Sequence, residues 1–216
     1  DGYYDITLGK TSSSMGFSPD FEKNVENNPL NRSYELNKSN QTVNKNSLFW
    51  FDLSSIAKGY AVQRIHDYLI KNNLPNHLID IGGEVIINGT NYSEPWNVGI
   101  QDPNSLASNP IYIIKNTNAS FLSIATSGEY RNFKTNSLGL IDTHTINPNS
   151  LRSIKPDSLS VTVISGKSAT YADGYATAFN AMSVNKSIEI ANANDIALML
   201  VVQNGSDIEL LFSDKW

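Results

Sequence analysis

Cysteine is absent from all 216 residues, which removes disulfide frameworks, thiolate metal sites and cysteine nucleophiles together. Basic residues are scarce: 16 Lys and Arg stand against 21 Asp and Glu, a formal charge of −5. That balance argues against a nucleic-acid binder led by phosphate neutralisation. No apolar run approaches the roughly 18 residues that span a bilayer, so no transmembrane segment is expected in this chain. The chain opens on Asp1-Gly2-Tyr3-Tyr4-Asp5 with neither leader nor initiator methionine, and an internal stretch of a longer protein is expected.

What is present fits one domain over residues 1–216, large enough for a real core. Hydrophobic residues make up 40% of the chain, and asparagine alone supplies 27 residues, many of them between Asn24 and Asn46. Residues 1–47 read as irregular surface structure around Tyr3, Tyr4, Ile6, Leu8, Met15 and Phe17. Leu48-Phe49-Trp50-Phe51 reads as strand-like, ending in a turn at Asp52. From Ala57 the spacing of Ala61, Ile65, Tyr68 and Leu69 predicts an amphipathic helix closed by Leu74-Pro75, with His66 on its polar face and His77 in a following loop. His77 to Asn88 reads as two buried strand pieces bent at Gly82-Gly83. Further strands are expected at 96–101, 111–115 and 159–165, and helices at about 169–182 and 186–193. A hairpin closes the chain, with Asn204-Gly205 between two apolar runs. Strands arriving in pairs with few helices between them imply an α+β fold with mostly antiparallel sheets.

Four segments place small or polar residues where packing alone would not ask for them. Asp52-Leu53-Ser54-Ser55-Ile56-Ala57-Lys58-Gly59-Tyr60 enters a helix, where free N–H groups, the dipole and a lysine suit a phosphate; the same residues also suit simple capping by Asp52 or Ser54. Asp80-Ile81-Gly82-Gly83-Glu84 allows a close backbone approach or merely a tight turn, and it is not a dinucleotide fingerprint. Residues 125–131 read as a hydroxyl-rich turn, and His144 follows in Thr143-His144-Thr145-Ile146-Asn147-Pro148. Asp173 and Thr177 stand four apart on a predicted helix and so share a side. They are hard-oxygen donors suited to Mg²⁺ rather than zinc, or else the polar face of an ordinary helix.

Together these segments resemble the ApbE-type flavin transferases. Asp52-Leu53-Ser54-Ser55-Ile56-Ala57-Lys58-Gly59-Tyr60-Ala61 is similar to that family's helix-entry motif, and Gly82-Gly83-Glu84 stands in its Gly-Gly-acid position. Trp96-Asn97-Val98-Gly99-Ile100-Gln101-Asp102-Pro103, Ala125-Thr126-Ser127-Gly128-Glu129-Tyr130-Arg131 and Ala172-Asp173-Gly174-Tyr175-Ala176-Thr177-Ala178 match three more motifs in order. The opening Gly2 to Gly9 and Met15-Gly16-Phe17 match as well, so the resemblance covers the whole chain, although family members usually carry a further N-terminal segment before it.

The resemblance implies a T-fold-like architecture and Mg²⁺-dependent FAD:protein FMN transfer. In that reaction FMN moves from FAD to a Thr or Ser hydroxyl of an acceptor protein carrying a flavinylation motif, and AMP leaves. It implies Asp173 and Thr177 as Mg²⁺ ligands with the Ser55 carbonyl, contacts to FAD from Tyr3, Tyr4, Asp5, Asp52, Lys58 and Thr145, and close backbone approach at Gly82 and Gly83. His144 is the implied base, a residue type with a near-neutral pKa. Hydrolysis of FAD to FMN and AMP is the rival activity, and an FAD-binding module with weakened catalysis is a third reading. An extracytoplasmic setting, with lipid anchoring through a segment outside this chain, is also implied. One stretch departs from the family: its His-x-Ile-Asp-Pro-Arg-Thr-Gly reads His144-Thr145-Ile146-Asn147-Pro148-Asn149-Ser150-Leu151, which replaces the acid and the arginine with asparagines.

Overall fold

A computed structural model describes residues 2–18, 31–105, 109–128, 133–135 and 141–216. Along the chain lie α1 (Gly9–Ser14), β1 (Tyr34–Asn37), β2 (Thr42–Lys45), α2 (Ser54–Lys71), β3 (His77–Ile81), β4 (Glu84–Asn88), β5 (Thr90–Asn91), β6 (Glu94–Pro95), β7 (Asn97–Gln101), β8 (Pro110–Lys115) and β9 (Leu122–Gly128). There follow β10 (Phe133–Thr135), β11 (Ile141–Thr143), β12 (Ile146–Asn147), β13 (Arg152–Ser153), β14 (Ser158–Ser165), α3 (Ala169–Asn180), α4 (Val184–Ala193), β15 (Ala197–Asn204) and β16 (Asp207–Phe212). All of the strand pairs are antiparallel, so the fold is α+β as expected. Among the described residues no helix is long and apolar enough to cross a membrane. The chain divides into two compact units, Asp1–Leu53 with Phe133–Lys155, and Ser54–Asn132 with Pro156–Trp216.

The larger unit is built on a six-stranded sheet ordered β16-β15-β14-β9-β4-β3. The two-residue period of a strand sends alternate side chains to opposite faces, and here both faces are covered. Val85 and Ile87 of β4, Ile124 of β9, and Met199 and Val201 of β15 meet Ile100 and Ile114 of the β7–β8 hairpin on one side. Ile86 of β4 and Ile79 of β3 meet Val62 of α2 and Ala169 of α3 on the other. That double cover explains the unbroken apolar run at 85–87, where a half-exposed strand would alternate. Ile86 and Ile87 are both fully buried, each contributing about 1.5–3 kcal/mol. The β3–β4 hairpin turns through Gly82 (φ +61°) and Gly83 (φ +96°), a left-handed pair that accounts for the double glycine.

Several expectations are corrected. Residues 125–128 are not a turn: Leu122–Gly128 is an inner strand of the sheet, and Thr126 pairs its hydroxyl with that of Thr162 on β14 at 3.0 Å. Its β-branched residues suit a strand better than the hydroxyl content suggested. Helix α2 opens at Ser54, and its inward face carries Gly59, Val62, His66 and Leu69; Ile65 and Tyr68 are exposed. His66 therefore is not on a solvated face. It stacks edge-on against Phe121, and its Nδ1 lies 2.9 Å from Nε2 of His77, the buried first residue of β3.

In the smaller unit, residues 1–47 contain regular structure that weak periodicity concealed. Helix α1 buries Gly9 to Ser13, and β1 and β2 form a hairpin with Tyr34 opposite Lys45. Leu48–Phe51 forms no strand. Its carbonyls are taken elsewhere: Trp50 O accepts from Gly9 N–H (3.1 Å) and Phe49 O from Lys45 Nζ (2.7 Å). Phe49 is fully buried with its ring edge-on to Phe51, so the apolar burst is core without a ladder. Asp1, residues 24–30 of the asparagine-rich stretch, and Glu129, Tyr130 and Arg131 of the fourth family motif lie outside the described residues.

Candidate functional site

The twelve candidate residues divide between the two units. Ser55, Lys58, Gly82, Gly83, Asp173 and Thr177 belong to the larger one, and Tyr3, Tyr4, Asp5, Asp52, His144 and Thr145 to the smaller.

In the larger unit, the first turns of α2 run alongside α3, and glycine makes the approach possible. A Cβ on Gly59 would lie 2.5 Å from the Ala169 carbonyl oxygen and 2.7 Å from Asp173 Cβ, so no side chain fits there. The Gly59 N–H donates to Asp173 Oδ2 at 2.8 Å. One helical turn on, Thr177 Oγ1 donates to the Ser55 carbonyl at 3.4 Å. The i, i+4 spacing thus sets Asp173 and Thr177 side by side against the opening of α2. Asp173 is 2% exposed.

A second buried acid joins it. Glu84, at the start of β4, is also 2% exposed, and Lys58 Nζ forms an ion pair with its Oε2 at 2.5 Å. Lys58 also donates to the Gly82 carbonyl at 3.5 Å, and its own side chain is 44% exposed. Burial pushes the Glu84 carboxyl up to about 7, and the nearby Asp173 adds to the shift while Lys58 opposes it. Burial likewise raises Asp173, against the Gly59 N–H, the Lys58 charge and a hydrogen bond from Glu84. Among the described residues, nothing stands within 4 Å of a Cβ placed on Gly83, and the Lys58 stem is what a Cβ on Gly82 would meet, at 3.5 Å.

The donor set suits a hard cation. Among the described residues no three His, Asp or Glu side chains cluster as a metal site, so a cation here needs hydroxyl and carbonyl oxygens as well. Those are present: Thr177 Oγ1 and Ser55 O lie 3.4 Å apart, close to the ~3 Å separating adjacent oxygens around an octahedral Mg²⁺.

In the smaller unit, Asp5 is held differently. It accepts from Thr7 N–H (2.8 Å), the Thr7 hydroxyl (2.6 Å) and Arg32 (2.9 Å). Burial pushes its carboxyl up, but these bonds together outweigh it and hold it below the usual value. Arg32, only 5% exposed at its side chain, also donates to Thr7 Oγ1 and to the Pro148 carbonyl. Asp52 accepts from Ser18 at 3.1 Å, and its N–H donates to the Ile6 carbonyl. His144 lies between β11 and β12 with its ring edge-on to Phe17. Beside it, Thr145 is buried and its carbonyl accepts from Ile154 N–H. Tyr3 and Tyr4 are half-buried.

The divergent loop is closed by its own hydrogen bonds. Asn147 Oδ1 accepts from the N–H groups of Asn149 (2.9 Å) and Ser150 (3.0 Å), which is the acceptor role a carboxylate would fill. Leu151 takes φ +54° where the family has glycine, a costly conformation for a side chain. Its N–H donates to the Asn147 carbonyl at 2.8 Å. Glu84 and Arg32 were not assigned roles from the sequence. Glu84 was legible as an acid at the head of a buried apolar strand; no local pattern marked Arg32.

The fold is α+β, with two buried carboxylates beside the hydroxyl and carbonyl oxygens at the opening of α2. The chain belongs to the ApbE family, whose profile matches residues 1–200. It is 32% identical to a Vibrio cholerae FAD:protein FMN transferase over 94% of this chain and 62% of that protein. A Haemophilus influenzae FAD:protein FMN transferase is 30% identical over the same shares. The chain thus spans a little under two thirds of the length of these relatives. The solved flavin transferase ApbE of Vibrio cholerae superposes with a TM-score of 0.78 at 30% identity, covering 99% of this chain and 70% of that one. An ApbE protein from Thermotoga maritima gives 0.80 at 25% identity, with the same coverage.

Proposed function

We propose that this protein is a Mg²⁺-dependent FAD:protein FMN transferase acting on a Thr or Ser hydroxyl of an acceptor protein. The observation that carries the proposal is the juxtaposition of Asp173, Thr177 and the Ser55 carbonyl with Lys58, in a chain whose relatives are named for that activity. In the reaction the acceptor oxygen forms a bond to the FMN phosphorus, the bond from that phosphorus to the AMP oxygen breaks, and the acceptor proton goes to a base. Such transfers depend on positioning and charge neutralisation more than on covalent help.

Ser55, Asp173 and Thr177 would hold Mg²⁺, which when bound supplies Lewis-acid polarisation and charge neutralisation at the phosphates. Lys58 and the helix-dipole end at the opening of α2 bind the pyrophosphate, and the positive-φ turn at Gly82-Gly83 gives it a close backbone neighbour. Tyr3, Tyr4, Asp5, Asp52 and Thr145 contact FAD in this reading. His144 takes the acceptor proton, an assignment resting on its motif position.

The test is incubation with FAD, Mg²⁺ and an acceptor domain, followed by flavin fluorescence on the denatured acceptor. A flavinylated acceptor is expected; free FMN with no labelled acceptor would make the protein a pyrophosphatase, and tight FAD binding without turnover would make it a binding module. His144→Ala should slow transfer by about 10²–10⁴-fold with FAD affinity retained. Equal loss of both would make the histidine a binding residue.

A further inference from the structure

Lys58, Glu84 and Asp173 come from α2, β4 and α3 and carry two formal negative charges against one positive. Both carboxylates are 2% exposed and Lys58 pairs with Glu84, so a single ammonium serves two poorly solvated acids. The two ends of the ion pair differ in their freedom. Glu84 is buried at the head of a central strand and cannot follow a moving partner, whereas the Lys58 side chain is 44% exposed on a flexible four-carbon stem. The Gly82 carbonyl, 3.5 Å from Nζ, offers the ammonium another acceptor outside the carboxylate pair.

We infer that Lys58 is the resident counter-ion of the Glu84–Asp173 pair, standing where a divalent cation acts and displaced outward when the cation enters. The inference rests on the cation-holding reading of Asp173, Thr177 and Ser55 and adds a role for Glu84 as a positioning residue. A divalent ion beside Asp173 compensates both carboxylates by itself and repels the ammonium across a short, weakly screened distance. Lys58 needs only side-chain rotation to leave. Its charge is thereby released to a phosphate when the cation is in place, and cation entry and lysine release become one event. Glu84 holds the ammonium in the cation-free state and adds negative charge to the cation's surroundings in the other.

Competition between the lysine and the cation has a readout that needs no flavin. Mn²⁺, an EPR-visible substitute for Mg²⁺, is titrated into the full chain, into K58M, into E84Q and into the double variant. K58M is expected to bind Mn²⁺ about tenfold more tightly, because the competing like charge is gone. E84Q is expected to bind about tenfold more weakly, as when a charge beside a metal site is removed. In the double variant the K58M gain should shrink, since the carboxylate over which lysine and cation compete is absent. Unchanged or weaker Mn²⁺ binding by K58M overturns the inference, as does a wild-type chain that binds no Mn²⁺ without flavin. If E84Q does not fold by circular dichroism, K58M decides alone. Wild-type FMN transfer with unaltered K58M affinity removes the counter-ion role and leaves the proposed function standing. Tighter binding by K58M with no transfer by the wild type does the reverse.

Discussion

Two ionic clusters, a half-buried one in the smaller unit and a buried one in the larger, are resolved in opposite ways. Around Asp5 every partner favours the charged carboxylate: two bonds from Thr7 and one from Arg32, whose guanidinium is itself spent on Thr7 and Pro148. Around Glu84 and Asp173 the partners fall short, and both acids are pushed toward protonation. A cluster that closes its own charges keeps its carboxylate ionised before any ligand arrives. One that awaits a ligand leaves them open, and perturbed acids in such a place mark function. The contrast separates an acid already held in its charged form from two that lack the charge to stay so.

The largest effect that can sharpen this contrast is on chemistry. Asp173→Ala removes a carboxylate that is both the proposed cation ligand and the acceptor for Gly59 N–H. FMN transfer is expected to fall by about 10³-fold or more, given the several kcal/mol a catalytic metal supplies. Circular dichroism should report an intact fold, and turnover at the wild-type rate would remove Asp173 from the site.

Next comes the satisfied cluster. Arg32→Met leaves Asp5 half-buried with Thr7 as its remaining described partner and the Pro148 carbonyl without this donor. A loss of about 3 kcal/mol is expected at pH 7, measured by urea unfolding. Asp5 is depressed from 3.8, so its contribution is present above that value and lost as pH falls through the lower folded value. The variant's deficit should therefore shrink in acid. A deficit that stays constant down to pH 3 would place the Arg32 contribution in packing instead.

The smallest effect runs the other way. Glu84 is raised from 4.5 to about 7, so its stabilising contribution is complete below 4.5 and lost as pH rises through 7. In EDTA at pH 8, with Lys58 and Asp173 its charged neighbours, Glu84→Gln should be more stable than the wild type by about 1–2 kcal/mol. Near pH 4 the two should melt alike. Destabilisation at pH 8 would mean that the Lys58 pair already closes the charge, and the contrast between the clusters would collapse.

Much of the larger unit was legible from periodicity and turn chemistry. The Gly82-Gly83 bend, the β7 and β8 strands, the α3 and α4 helices and the final hairpin all follow from local patterns. The failures share a cause. The strand at 122–128 is hidden because its hydroxyl residues pair across the sheet, and Leu48–Phe51 reads as a strand because burial without a ladder has the same composition. On α2, the apolar stripe gave the wrong face because a glycine, invisible to hydrophobic spacing, is what packs most closely.

The sequence by itself determined which chemistry is possible: no thiols, a lysine at a helix opening, an acid and a hydroxyl one turn apart, and a double glycine before a buried strand. It also carried the family's motifs in order. Only the tertiary structure decided which of these groups meet. Gly59 reaches Asp173 across 114 residues and Arg32 reaches Pro148 across 116, and contacts of that span follow from sheet register and helix approach, which no local pattern encodes. The same packing decided that Glu84 is buried beside Asp173 and paired with the partly exposed Lys58 ammonium. Desolvation, a property of the folded surroundings rather than of the residue, is what turned an ordinary glutamate into an unsatisfied one.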